Sequence, residues 1–149
     1  MDLLKDRIRE DMKAAMKSGA KVKLGVIRLI MAAIKQREVD ERIELDDEQV
    51  ILVLDKMVKQ RRESIRQFRA AERIDLAEIE EAEIVVIQDY LPQALTDEEI
   101  DLMIREEVEA QGAVSIKDMG KVMNALKEKM QGRADMAQVS IKIKSVLAG

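Results

Sequence analysis

Apolar residues recur along this chain at three- and four-residue steps, the spacing that gathers them on one side of an α-helix. Leu4, Ile8, Met12 and Ala15 predict a first helix from about Asp2 to Lys17, ended by Ser18-Gly19. Leu24, Ile27, Met31 and Ile34 predict a second, which fades into the charged run from Arg37 to Glu44. Asp46 with Gln49 forms a capping box in which each side chain reaches the other's backbone amide. It opens a long third helix, about Asp47 to Glu72, with Ile51, Leu54, Val58, Ile65 and Phe68 as its apolar side. Asp75 and Glu78 repeat the signal for a fourth helix facing inward through Leu76, Ile79, Ile84, Ile87 and Leu91, and Pro92 stops it.

After Pro92 the pattern restarts with three shorter helices, opened by Thr96 with Glu99, Ser115 with Asp118, and Asp135 with Gln138. Their stripes are Ile100, Ile104 and Val108; Met119, Val122, Leu126 and Met130; and Met136, Val139, Ile143 and Val146. Gly112 and Gly132 stand where a left-handed residue would end a helix, a conformation glycine adopts without a Cβ clash. The expected architecture is all-α: an N-terminal helical domain of about four helices, one of them long, at 1–92, and a small three-helix C-terminal bundle at 93–149.

Composition narrows the chemistry. With one Pro, one Phe, one Tyr and six Gly in 149 residues, turn chemistry for hairpins is scarce. His and Cys are both absent, which removes imidazole bases, thiolate nucleophiles, disulfides and the usual zinc ligands together. No catalytic residue, metal site or cofactor is therefore expected. The apolar runs are too short for a membrane span and the N-terminus has no signal-peptide core, so the expected address is cytoplasmic. The ten methionines fit ordinary core packing, with Met12, Met31, Met119, Met130 and Met136 on apolar stripes.

Charge is unevenly placed around a net of −4. Residues 93–110 hold one base against seven acids, whereas 111–149 hold seven bases against three acids. Two basic features stand out. Lys59, Arg62, Arg66, Arg69 and Arg73 fall on one side of the third helix over about 21 Å, a rail of the length that follows a phosphate backbone. The next helix offers Asp75, Glu78, Glu80, Glu81, Glu83 and Asp89 as neutralising neighbours, and pairing within the protein is the favoured reading. In the second half, Lys117, Lys121, Lys127, Lys129 and Arg133 form a cationic segment. Gly120 within it should be compensated, by close helix packing first and by a sugar-phosphate backbone second. Without aromatic residues there, such a surface would meet structured RNA through shape and phosphates.

The segments LGVIRLIMAAIK (24–35), KMVKQRRESIRQF (56–68), DLAEIEEAEI (75–84), YLP (90–92), MGKVMNAL (119–126) and GRADMAQVS (132–140) resemble the YqeY family over nearly the whole chain. The resemblance implies that residues 93–149 are similar to the tail domain of the GatB subunit of a glutamine-dependent tRNA amidotransferase, which grips the tRNA elbow. It thereby implies a tRNA-binding accessory module with Gly120, Lys121, Gly132 and Arg133 as contacts; Lys117, Lys127 and Lys129 are added on electrostatic grounds. The expected partners are tRNA and an aminoacyl-tRNA synthetase or amidotransferase component, with no membrane and no DNA. The chain lacks the catalytic part of that enzyme, so a carbon–nitrogen ligase label would be association and not an activity. The competing expectation is a helical protein–protein adaptor in which RNA plays no part.

Overall fold

A computed structural model describes residues 3–148, and among these the chain is all-α. It comprises α1 (Leu3–Ser18), α2 (Lys21–Glu41), α3 (Asp47–Ala70), α4 (Ile74–Gln88), α5 (Asp97–Gln111), a 3₁₀ turn (Ile116–Asp118), α6 (Met119–Met130) and α7 (Met136–Ala148). The start expected at Asp2 lies outside the described residues. The chain divides into two compact units, 1–92 and 93–149.

In the first unit Ile8, Val26, Ile27, Ile30, Ile34, Leu45, Val50, Leu54, Val58, Ile87 and Tyr90 form one buried cluster, with α3 and α4 packed as a helical hairpin. The α2–α3 connection shows how local chemistry sets the packing. Arg42 closes α2 in the left-handed region at φ 56°, and its amide donates to the Glu38 carbonyl. Leu45 then plugs the core, fully buried. Asp46 and Gln49 complete the capping box at 2.9 and 3.0 Å, and Asp47 accepts from the Leu4 amide at 3.1 Å, occupying a donor that α1 itself cannot satisfy.

The Glu38 carboxylate anchors this corner. It accepts from the Lys5 ammonium at 2.8 Å and from the Leu45 amide at 2.9 Å. These bonds, the Lys5 one foremost, hold its carboxyl below the usual range. A carboxyl depressed in the folded state contributes stability that is complete above its unfolded value and fades as pH falls through the folded one. Glu38→Gln is therefore expected to be less stable than wild type at neutral pH, with the difference shrinking as pH drops below about 4.5. Urea titrations of both proteins across that window check it.

Two capping expectations are corrected. α4 starts at Ile74 with Arg73 at its N-cap and no side-chain cap, because Glu72 turns the chain at φ 59° and Asp75 is held by Arg73 at 3.3 Å. Ser115 makes no capping bond; instead Asp118 accepts from the Val114 amide at 3.0 Å, and a 3₁₀ turn precedes α6. Asp135 opens α7 as expected, its side chain accepting from the Ala137 amide in the first turn at 3.1 Å. The α3 stripe is rotated so that Val50, Val53 and Met57 join Leu54 and Val58 inside, and Ile79 of α4, expected inside, is 58% exposed.

In the second unit Ile100, Ile104, Val122, Leu126, Met130, Val139, Ile143 and Leu147 form a separate core. Thr96 and Glu99 make their box at 3.1 and 3.2 Å, and Gly112 and Gly132 take φ of 62° and 72°.

Candidate protein-docking face

Most of the α3 cations are already engaged within the first unit. On α3, Arg69 is paired with Glu81 of α4 and Arg66 with Glu63 at 2.9 Å, while Arg73, expected on the same helix, lies past its end and pairs with Asp75. Arg61, which the spacing argument passed over, lies deepest: its guanidinium sits 3.4 Å from Glu83 and 3.9 Å from Glu80. Burial, and then the neighbouring Glu83, push the Glu80 carboxyl upward. Arg62 is engaged as well, and of the five rail residues Lys59 alone is exposed without an ion pair among the described residues.

In the second unit, Lys129 donates to Glu107 at 3.0 Å. Its charge, after the amide of Gln111, holds that carboxyl below its ordinary range. Arg133 is a clasp: its Nε donates to the Gln93 carbonyl at 3.2 Å, while its own carbonyl accepts from the Leu95 amide at 2.8 Å. Gly132 is buried in the turn beside it. Gly120 stands in the first turn of α6, and a Cβ there would meet nothing within 4 Å, so the expected packing compensation is absent. Lys117, Lys121 and Lys127 are exposed and carry no ion pair among the described residues. Two of the proposed contacts are thus structural fasteners and one is neutralised.

The feature that sequence reasoning missed is on α2. Its inner side is buried through Val26, Ile27, Ile30 and Ile34. Its outer side carries Val22, Gly25, Leu29, Ala32, Gln36 and Val39 at alternating three- and four-residue steps, all exposed, and Ile43 extends the run beyond the helix. Val22 is 62%, Leu29 48% and Val39 59% exposed. The helix is apolar on opposite sides, and among the described residues only the inner side is packed. A groove lined by Ala33, Gln36, Asp40, Leu52, Lys56 and Gln60 runs along one flank of this stripe.

Gly25 supports the same conclusion. It lies inside α2, where glycine costs about 0.5–1 kcal/mol against alanine, yet a Cβ there would touch nothing within 4 Å. Nothing among the described residues accounts for its smallness. Gly25→Ala is expected to raise the stability of the isolated protein by about 0.5–1 kcal/mol, read as a higher melting temperature.

The chain is thus all-helical among the described residues, with two small units and an apolar outer face on α2. The chain belongs to the YqeY family: the family described as Yqey-like protein matches residues 5–147. It is similar to the protein named altered inheritance of mitochondria protein 41, mitochondrial, of Pyrenophora tritici-repentis, with 35% identity over 147 residues covering 95% of this chain and 79% of that protein. The protein of the same name in Vanderwaltozyma polyspora is 31% identical over 144 residues, 90% of this chain and 77% of its own length. That of Clavispora lusitaniae is 42% identical over 96 residues, 62% of this chain and 55% of its own length.

These findings correct two expectations. The tRNA-binding accessory role tied to an amidotransferase is overturned, because relatives matching nearly the whole chain are named for mitochondrial inheritance and not for tRNA or amidation. The geometry gives the physical reason, since Lys129 and Arg133 are spent on contacts within the unit. The cytoplasmic address is overturned by the same relatives, whose names place them in mitochondria. Lack of a membrane-length helix among the described residues carries no information about compartment.

Proposed function

We propose that this chain is a non-catalytic, protein-binding helical module that docks another protein on the outer face of α2, in the mitochondrial setting that its relatives' names indicate. The observation that carries the reading is the second apolar side of α2, which leaves Val22, Leu29 and Val39 in water when the chain is alone. Absence of His and Cys from the whole sequence supports a role without acid–base or thiol chemistry. Ion pairing of the α3 arginines with α4 favours protein over RNA as the partner, because those charges already have counterions in the fold.

Capture of the tagged chain from extracts of its own cells, with and without nuclease, tests this. Proteins recovered in amounts near that of the chain, unchanged by nuclease and lost with Leu29→Asp, are the expected result. Recovery that depends on intact RNA would contradict it.

A further inference from the structure

The apolar stripe of α2 has a charged edge, and that edge specifies the chemistry of what covers it. Lys21, Arg28 and Lys35 follow one another every seven residues along α2, and Arg42, the left-handed residue that closes the helix, continues the count. The stripe keeps the same period. With Val22, Leu29 and Gln36 at the first core position of a heptad and Gly25, Ala32 and Val39 at the second, Lys21, Arg28 and Lys35 fall at the position immediately before the first, and Arg42 stands just past the helix end. The three helical cations therefore line one border of the stripe over about 21 Å. All four are exposed, and none makes an ion pair among the described residues. Glu38 lies within the field of Lys35 but is committed to Lys5 at 2.8 Å.

We infer that the occupant of this face is an amphipathic helix of another protein whose flanking positions are acidic. This inference rests on the protein-docking reading above and adds the partner's chemistry. An α-helix fits because the stripe keeps a seven-residue period, the spacing at which one helix seats its side chains between those of another. The small residues Gly25 and Ala32 let two backbones approach closely.

Charge disfavours a second copy, and weak apolarity disfavours a lipid surface. A second copy laid antiparallel on α2 would set cation against cation along the whole border. Laid parallel, it would set the cations opposite Val26, Ala33 and Asp40, with a single opposite charge among them. A lipid surface is a poor match because Gly25, Ala32 and Gln36 leave the stripe only weakly apolar and no aromatic residue lies on it. One helix face of this length makes a small interface, so affinity in the micromolar range is expected.

The test uses the full chain and two synthetic four-heptad peptides with identical apolar positions, one with Glu at every flanking position and one with Lys. The Glu peptide should bind, more weakly as salt is raised, and at least about tenfold more tightly than the Lys peptide. The double variant Arg28→Glu, Lys35→Glu should invert that preference, and Leu29→Asp should abolish binding to both. Both side chains of the double variant are exposed, so folding is retained, and circular dichroism checks it.

Equal binding of the two peptides, or binding of neither, would overturn the acidic-helix inference. So would concentration-dependent dimerisation lost on Leu29→Asp, or binding to anionic vesicles in preference to the Glu peptide. None of these results would by itself remove the docking reading, which falls if recovery from extracts depends on intact RNA or if the face stays uncovered in the cell.

Discussion

Leu126→Ala is expected to unfold the second unit selectively, with a loss of about 2–5 kcal/mol. Leu126 is fully buried at the centre of the α5, α6 and α7 core, where it meets Ile104, Val122, Met130 and Ile143. A leucine truncated to alanine loses its transfer free energy and leaves a void that a small three-helix unit can only partly close. A unit this short has little stability in reserve, so a loss of that size exhausts most of it. No residue of its core belongs to the cluster built on α1 to α4. Urea unfolding followed by circular dichroism should show an early transition with a fraction of the helical signal, then the wild-type transition of the first unit. A single shifted transition for the whole chain would show that the two cores unfold as one.

Tyr90→Ala should have the largest effect on the first unit, about 3–5 kcal/mol. The ring is 4% exposed and joins the core beside Ile87. Its hydroxyl donates to Asp11 at 2.6 Å, and the Arg7 guanidinium lies 4.8 Å from the ring centroid while holding Asp89 at 3.0 Å. Burial, reinforced by Asp11, pushes the phenol well above its ordinary range, so it remains a neutral donor throughout the working pH range. One side chain thus ties α1 to the end of α4 immediately before Pro92. Tyr90→Phe separates the contributions: it keeps the ring and the Arg7 contact, loses the bond to Asp11, and should cost about 1–2 kcal/mol. If the two variants proved equally destabilising, the hydroxyl and not the ring would be carrying the junction.

Most of the helices were legible because their boundaries carry explicit chemistry. Asp46 with Gln49 and Thr96 with Glu99 cap as read, the N-cap residue being extended in each so that its side chain reaches the N3 amide. Asp75 and Glu78 failed because the short α3–α4 turn, with Glu72 at positive φ, starts the helix before the acid is reached. Ser115 failed because Asp118 claimed the Val114 amide. Those contests between neighbouring acceptors are decided by backbone geometry, which residue spacing does not contain.

The docking face was obscured for a different reason. Apolar residues on both sides of α2 cancel in any measure of one-sidedness, so the helix reads as an ordinary core element fading into charge after Ile34. The signal that would have exposed it is the second repeat, Val22, Leu29 and Val39 with Gly25 and Ala32 between them, bordered by Lys21, Arg28 and Lys35. The cationic segment around α6 misled in the opposite direction. Lysines and arginines stand out in sequence, but Glu107 and the Gln93 carbonyl, which occupy Lys129 and Arg133, are distant along the chain.

Whether α2 is covered in its working state can be measured directly, because the chain contains no cysteine and a single introduced thiol is the only one to react. Ala32→Cys places it on the outer stripe, and Asn124→Cys places a control on the exposed side of α6. In the purified protein both should be labelled by a maleimide at the rate of an exposed thiol. In extracts of the protein's own cells the docking reading predicts at least about tenfold slower labelling at position 32, with position 124 unchanged. Equal labelling of position 32 in the purified protein and in the extract would contradict it.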